Sequence, residues 1–393
     1  MKKFVAIISL VFILSPIILT ACWDNRDIEE LHIVTGIALD VNKTNDNFID
    51  VTLQITNIQP GDAGKSQSVG NDDKPIIIKK SSKTIGDILK KLNNESNKFI
   101  FFHHIEVILF SMDLAKKGIN NYIDFFLRDT RSRLEIPVII VDGRAEDVLR
   151  VELQEENQSS IFLADSFQGA KTISKEIHVR LIDAAFKLAC KHHCPIIPVV
   201  KVEKEMENDK LVDIGFVMFM DSKATTMFAI DDIYGYLFVK DEVHFTDLEI
   251  VASETDIVVL KINKLVPSPT VIVQGDKIIL EVGINVDANI GEVEGFVELE
   301  PKEQLKLFEE LLKKDVENRI LKTFAIAQEN KCDFYGISEM INKKNPRAWA
   351  RLKDRWKDIF PTVEVKLDVK TAVKSTGQTN QTLEMEKIRN DDR

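Results

Sequence analysis

Four stretches of the chain bring together residue types that could do chemistry. The thiol of Cys22 stands at a seam, with Leu14-Ser15-Pro16-Ile17-Ile18-Leu19-Thr20-Ala21 before it and Trp23-Asp24-Asn25-Arg26 after it. "GDAGKS" (61–66) has the look of a phosphate loop, but that loop needs a glycine five positions before the Gly of GKS, so that successive N–H groups wrap the phosphates. Gln59 occupies that position, and no helix is predicted after Ser66 to aim its N-terminus at an anion. His103, His104 and Glu106 lie in "FIFFHHIEVILF" (99–110), which reads as one buried strand. Neighbours on a strand point to opposite faces, so only His104 and Glu106 would share a side, too few for a base cluster or a metal site. "CKHHC" (190–194) places Cys190 and Cys194 four apart on one helical face, where adjacent His192 and His193 cannot both join them before Pro195 ends the helix. A structural zinc wants four converging ligands. Packed or exposed thiols are therefore expected there, ahead of a metal site or a Cys190–Cys194 disulfide. HExxH, GxSxG and GxGxxG are all missing from the sequence. The expectation is a protein without catalytic residues, metal or cofactor.

Cys22 is the exception. Lys2 and Lys3 form a basic end, and residues 4 to 19 are almost all Val, Ile, Leu, Phe or Ala, the leading parts of an export signal. The competing reading is an uncleaved membrane anchor, but a spanning helix wants about 20 apolar residues. This run is shorter and carries Pro16. Leu19-Thr20-Ala21-Cys22 resembles the lipobox of bacterial lipoproteins, in which the cysteine sulfur takes a diacylglycerol and the preceding peptide bond is cut. One acyl chain holds a protein only marginally, at about 0.8 kcal/mol per buried CH₂, whereas two on one glycerol make a stable anchor. Lipid is also the expected means of attachment on charge grounds. The 52 Lys and Arg against 63 Asp and Glu give a net charge of −11, unsuited to an anionic surface and offering no basic stripe for nucleic acid.

The elements that would carry these residues point to an α/β (α+β) fold with several mixed-sheet domains. "HIVTGIALDV" (32–41) and "FIDVTLQIT" (48–56) read as strands joined by a turn at "NKTND". "IIIKK" follows as a strand, then a helix over 84–96 opened by Ser82 or Thr84. "LAKKGINNYIDFFLRD" reads as helical with a break at Gly118, "IPVIIVDG" (136–143) as a core strand, and 177–193 as an amphipathic helix with Ile177, Leu181, Ala185 and Leu188 on one side. Short strands are expected from 214 to about 290. Leu305, Phe308, Leu312, Val316, Ile320, Phe324 and Ala327 then fall on one stripe of a long helix lying on a sheet. Trp349, Leu352 and Trp356 share a face beyond Pro346, and 362–373 alternates as a final strand. The expected division is a lipoprotein signal peptide (1–21), an N-terminal α/β domain (22–200), a charged solvated linker (201–210), a strand-rich middle region (211–290), a C-terminal helix-rich α/β domain (291–374) and a polar tail (375–393).

Three separated segments resemble one family. Cys22-Trp23-Asp24 leading into a strand with Thr35-Gly36 and Asp40 is similar to the start of the Ger(x)C lipoproteins, the C subunits of nutrient germinant receptors in endospore-forming bacteria. His104 with its strand and the Arg128-Asp129…Arg133-Leu134 segment match a second family signature, with His103 and Thr130 in place of its glycine and proline. "CDFYGISEMINKKNPRAWARLKDRWKDIFPTVEVKLDVKTAVKSTG" (332–377) matches the third, with departures at Cys332 and Tyr335. The resemblance implies a three-part α/β protein tethered by palmitate-bearing, diacylglycerol-modified Cys22 to the outer face of the cell membrane, in spores the inner membrane. It implies action through contacts with integral membrane receptor subunits. A solute-binding lipoprotein that captures a germinant is the alternative, and would need a cleft between two lobes with converging polar groups; a surface hydrolase would need a nucleophile and base that the sequence does not offer. Arg128, Asp129 and Arg133, at a helix end before a strand, are read either as capping and turn geometry or as a docking site for a membrane partner.

Overall fold

The computed structural model describes residues 30–56, 74–153, 156–169, 179–190, 192–204, 209–241, 246–296 and 301–374. The signal segment, Cys22, the 61–66 loop and the tail lie outside them. β1 (Leu31–Val41) and β2 (Ile49–Ile55) form a hairpin whose turn is fixed by Asn42, the side-chain oxygen of which accepts from the N–H groups of Thr44 (3.0 Å) and Asn45 (2.8 Å). β3 (Ile76–Ser82) leads to α1 (Ile85–Glu95), where the Thr84 hydroxyl accepts from the Asp87 N–H at 3.2 Å as N-cap. Then come β4 (Phe99–Phe101), β5 (Val107–Ser111), α2 (Met112–Lys117) and α3 (Asn120–Arg128), with the expected break at Gly118. β6 (Val138–Val141), α4 (Ala145–Arg150), α5 (Ser159–Gly169), α6 (Leu181–Ala189), β7 (Ile196–Lys204), β8 (Asp209–Met220) and β9 (Lys223–Phe228) complete the first half.

Among the described residues these strands make one sheet of order β3-β2-β1-β5-β6-β7-β8-β9, with β4 paired to β1 off the path. β1, β5, β6 and β7 run parallel, and antiparallel strands flank them. Helices cover both faces, so every residue of β5 and β6 is buried, which is why these strands read as unbroken apolar runs. On one face Val107, Leu109, Ile139 and Val141 meet Val148 and Leu149 of α4 and Phe167 of α5.

After α7 (Tyr234–Lys240), a second sheet is built from β10 (Thr246–Val251), β11 (Ile257–Gln274) and β12 (Lys277–Glu294). α8 (Pro301–Glu329), α9 (Ile337–Lys344), α10 (Pro346–Leu352) and α11 (Trp356–Ile359) follow, and β13 (Glu364–Lys374) closes the order β10-β11-β12-β13 by pairing parallel to β12. The long helix carries its apolar stripe, with Phe308, Leu312, Val316, Ile320, Phe324 and Ala327 buried and Leu305, in its first turns, half-buried against the same core.

Several expectations need correction. Residues 201–204 and 209–210, the described part of the 201–210 stretch, are not a linker, because Val202↔Leu211, Glu203↔Lys210 and Lys204↔Asp209 pair as the outer rungs of the β7–β8 ladder. The charges that read as solvated chain sit opposite one another with complementary sign, and backbone pairing needs no apolar side chains. The 211–290 region is accordingly divided between two sheets, with β8 and β9 in the first and β10 to β12 in the second. Its strands are not all short: β11 and β12 span 18 residues each. The 99–110 run is two strands separated by a turn at His103 and His104, both exposed. α6 stops at Ala189 and Cys190 is its C-cap, so Cys190 and Cys194 do not share a helical face; Ile177 lies outside the described residues.

Candidate functional site

Thr35, Gly36 and Asp40 act in concert, as anchors for α4 and α5. The Asp40 carboxylate is almost fully buried and accepts from the N–H groups of Ala145 (2.8 Å) and Glu146 (3.0 Å), capping α4. Burial nevertheless holds its carboxyl above the usual range, outweighing those two bonds and the Arg144 charge. A Cβ on Gly36 would come within 2.7 Å of Ser160 and 2.8 Å of Leu149, so only glycine lets the helices lie this close to β1. Thr35 donates to Gln158 at 2.8 Å, and Gln54 donates to the Leu149 carbonyl at 2.8 Å. Beside this anchor Asp50, Lys79, Arg144 and Glu146 form a closed set of ion pairs of 2.6–3.2 Å.

Arg128, Asp129 and Arg133 do not converge on one another. Arg128 pairs with Asp124 at 2.7 Å and its side chain is 79% exposed. Asp129, the C-cap of α3, takes two bonds from the Arg131 guanidinium (2.8 and 2.6 Å) and one from its backbone N–H (3.0 Å), and the guanidinium bonds above all outweigh burial and hold its carboxyl below the ordinary range. Arg133 reaches Glu106 at 2.9 Å and the Ile105 carbonyl at 3.2 Å, tying this loop to the His103–His104 turn. The Arg131 guanidinium also sits 5.3 Å over the Phe102 ring. Sequence reasoning passed over Arg131, although its place two residues after Asp129 is a local signal for such a pair. Of the three candidates, Arg128 is the most exposed, ahead of Arg133 at 51% and the largely buried Asp129.

The two halves meet along a run of aromatic rings. Phe216 contacts Phe228 (5.9 Å between centroids), Phe228 stacks on Phe334 (6.0 Å), and Tyr335, Phe324, Phe360, Trp356 and Trp349 continue at 5.0–5.9 Å steps. Trp349 then returns to the first half by an edge contact with His192 at 5.1 Å. Asp333 organises the turn after α8. Its carboxylate accepts from the N–H groups of Ile337 (2.9 Å) and Ser338 (2.8 Å) and from the Trp356 indole (3.1 Å). Gly336, at φ +71°, leaves room for His193, which a Cβ there would approach to 3.1 Å.

Where the halves meet, a cavity of about 500 Å³ opens between α6 and the α7, α9 and α10 helices. Phe186, Tyr236 and Trp349 provide aromatic walls, and Lys187, Lys240 and Glu339 bring charge. Phe186 is 71% exposed, unusual for a ring of that size. His193 lies within bonding reach of Glu339 at 3.4 Å, while burial lowers its affinity for a proton. Among the described residues no group of three or more His, Cys, Asp or Glu side chains is placed to hold a metal ion.

This architecture is that of a two-sheet α+β protein whose halves are joined through an aromatic core. The chain matches the family model described as "Spore germination protein N-terminal domain" over residues 24–202 and that described as "Spore germination B3/ GerAC like, C-terminal" over 214–377, and it belongs to this Ger(x)C family of spore germination proteins. Among curated relatives, "Spore germination protein KC" of Bacillus subtilis (strain 168) is 25% identical over 401 residues, covering 95% of this chain and 96% of that one. "Spore germination protein B3" of the same organism is 26% identical over 377 residues, covering 91% and 95%. The crystal structure of the GerBC protein superposes with a TM-score of 0.58 at 19% identity, covering 88% of this chain and 99% of that chain, and shares its fold. The two family models part between 202 and 214, inside the β7–β8 hairpin, so the first sheet draws strands from both.

Proposed function

We propose that this protein is the membrane-tethered lipoprotein subunit of a nutrient germinant receptor, needed for spore germination and acting by contacts with integral membrane subunits rather than by catalysis. The observation that carries the reading is the family match, which starts at residue 24, two residues beyond the acceptor cysteine of Leu19-Thr20-Ala21-Cys22. Acyl chains on Cys22 hold the folded body to the outer face of the cell membrane, which in spores is the inner membrane. Cys22→Ala is expected to abolish incorporation of a fatty-acid analogue and to leave the chain uncleaved or released. Labelling that survives the substitution sinks the anchor.

Arg128 is the partner contact that exposure favours, since its own pair with Asp124 lies in solvent, whereas Asp129 is held by Arg131 and Arg133 ties two loops together. An exposed helix pair contributes only about 0–1 kcal/mol. Arg128→Ala should therefore leave the thermal melt unchanged while slowing germination, and a normal germination rate would remove it from the interface.

The cavity between the halves favours a second reading, in which the protein itself captures a small germinant. Its volume of about 500 Å³ falls in the range of ligand sites, and aromatic walls with a few charged groups suit a small molecule of mixed polarity. Calorimetric titration of germinants into the purified protein separates the two readings, because heat of binding that disappears with Trp349→Ala supports capture.

A further inference from the structure

We propose that Cys194 and Cys332 form a disulfide bond that staples the entry to β7, in the first sheet, to the turn at the end of α8, in the second half. Both are free thiols in the structure and both are buried, Cys332 completely. Both belong to one apolar core, where the Cys194 thiol acts directly on the Cys332 thiol. The backbones that carry them are held together independently of the sulfurs. Ser338 donates to the His192 carbonyl at 3.4 Å, the Gly336 backbone fits against His193, and Trp349 contacts His192 at 5.1 Å. On the α8 side Cys332 is fixed by its own N–H, which donates to the Ala327 carbonyl at 2.8 Å, after Lys331 turns the chain at φ +52°. The fold, not the sulfurs, therefore brings the two segments together, and the bond would join them where they already meet. Cys190 is excluded as the partner, since it caps α6 and is exposed.

The chemistry is exchange with a small external disulfide. Cys194 borders a cavity of about 260 Å³ that also touches Cys190, whereas Cys332 has no exposure. The Cys194 thiolate attacks one sulfur of the external disulfide, forming a mixed disulfide and releasing the first thiolate. The Cys332 thiolate then attacks the Cys194 sulfur, forming the Cys194–Cys332 bond and releasing the second. The protein pair loses two electrons and two protons, and the external disulfide becomes two thiols. Burial, together with contact with the Cys194 thiol and the Asp333 charge, pushes the Cys332 thiol far above its ordinary range, so in the folded protein it is a poor attacker. The bond is therefore made as the two halves close during folding, while the Cys332 thiol can still ionise in water.

A supply of oxidant in the cell rests on the export reading of Cys22, and the test keeps the two apart. The full-length chain in detergent is unfolded under reductant, refolded in mixed oxidised and reduced glutathione, alkylated, digested and examined by mass spectrometry. The expected product is one linked pair of peptides, carrying Cys194 and Cys332 and lighter by two hydrogens than the separate peptides, with Cys190 alkylated. Its thermal midpoint should drop by several degrees on adding reductant, a difference that persists in Cys190→Ala and is lost in Cys332→Ala. Alkyl groups on both Cys194 and Cys332, or a Cys190–Cys194 link, overturns the proposal. Alkylation of living cells supplies the second arm, because pairing in the refolded protein with free thiols in cells would count against export and leave the pairing standing.

Discussion

Asp213 sits where the β7–β8 ladder shifts register opposite Val199 and Val200. One carboxylate oxygen accepts from the Gly215 N–H at 3.2 Å, and the other is buried with no hydrogen-bond partner among the described residues. Burial pushes its pKa from the ordinary 3.8 up to about 6, against a smaller pull from the Gly215 N–H. Between those values the folded chain holds a proton that the unfolded chain has released, so stability falls as pH rises through the window and stays reduced above it. Asp213→Asn has no charge to bury. It should raise stability at pH 7 by up to about 3 kcal/mol and flatten the profile between pH 4 and 6, read by denaturant unfolding at pH 4.5 and 7. An equal or lower stability of the variant at pH 7 would show that the carboxylate finds compensation in solution. Asp129 is the opposite case, because its two bonds from the Arg131 guanidinium keep it charged.

Short elements in this chain are positioned by single side chains rather than by their own propensity. α4 is six residues long, too short to be stable alone, and it starts where the Asp40 carboxylate collects two N–H groups. Asp40→Asn removes the charge and replaces one accepting oxygen by an amide that cannot accept. The variant is expected to fold but to lose about 1–3 kcal/mol, with faster hydrogen exchange at the Ala145 and Glu146 amides as the specific readout. Exchange unchanged at those two positions would mean that the packing of Val148 and Leu149 holds α4 without its cap. α9 is organised in the same manner by Asp333, whose second duty is the Trp356 indole.

The two halves share one apolar core, which contains residues from both sheets and the aromatic run between them. They should therefore unfold together. Trp356 is 2% exposed and in ring contact with Trp349 and Phe360, so Trp356→Ala is expected to cost about 3–5 kcal/mol. It should lower the midpoint seen by far-ultraviolet circular dichroism and by tryptophan fluorescence by the same amount. Separate midpoints for the two probes would show that the β7–β8 hairpin is a true boundary between independent domains.

Periodicity alone determined much of the local structure, because burial on one face writes itself into side-chain spacing. The α8 stripe, the alternating β13, the Asn42 turn and the Thr84 start of α1 all follow from neighbours within a few residues of each other. Family membership was likewise legible, since it rests on residue types in order along the chain. What the sequence could not carry was pairing between distant segments. That 201–204 and 209–210 lie within a sheet depends on which strand faces which, and charges that mark a solvated chain also suit the outer rungs of a ladder. Arg128 and Asp129 find partners within four residues, but that Arg133 reaches Glu106 was decided by packing inside the first half, and that Cys332 meets Cys194 while Cys190 faces solvent by the packing of the two halves. Tertiary contact chooses among partners at long range, and a spacing rule reaches no further than the element it describes.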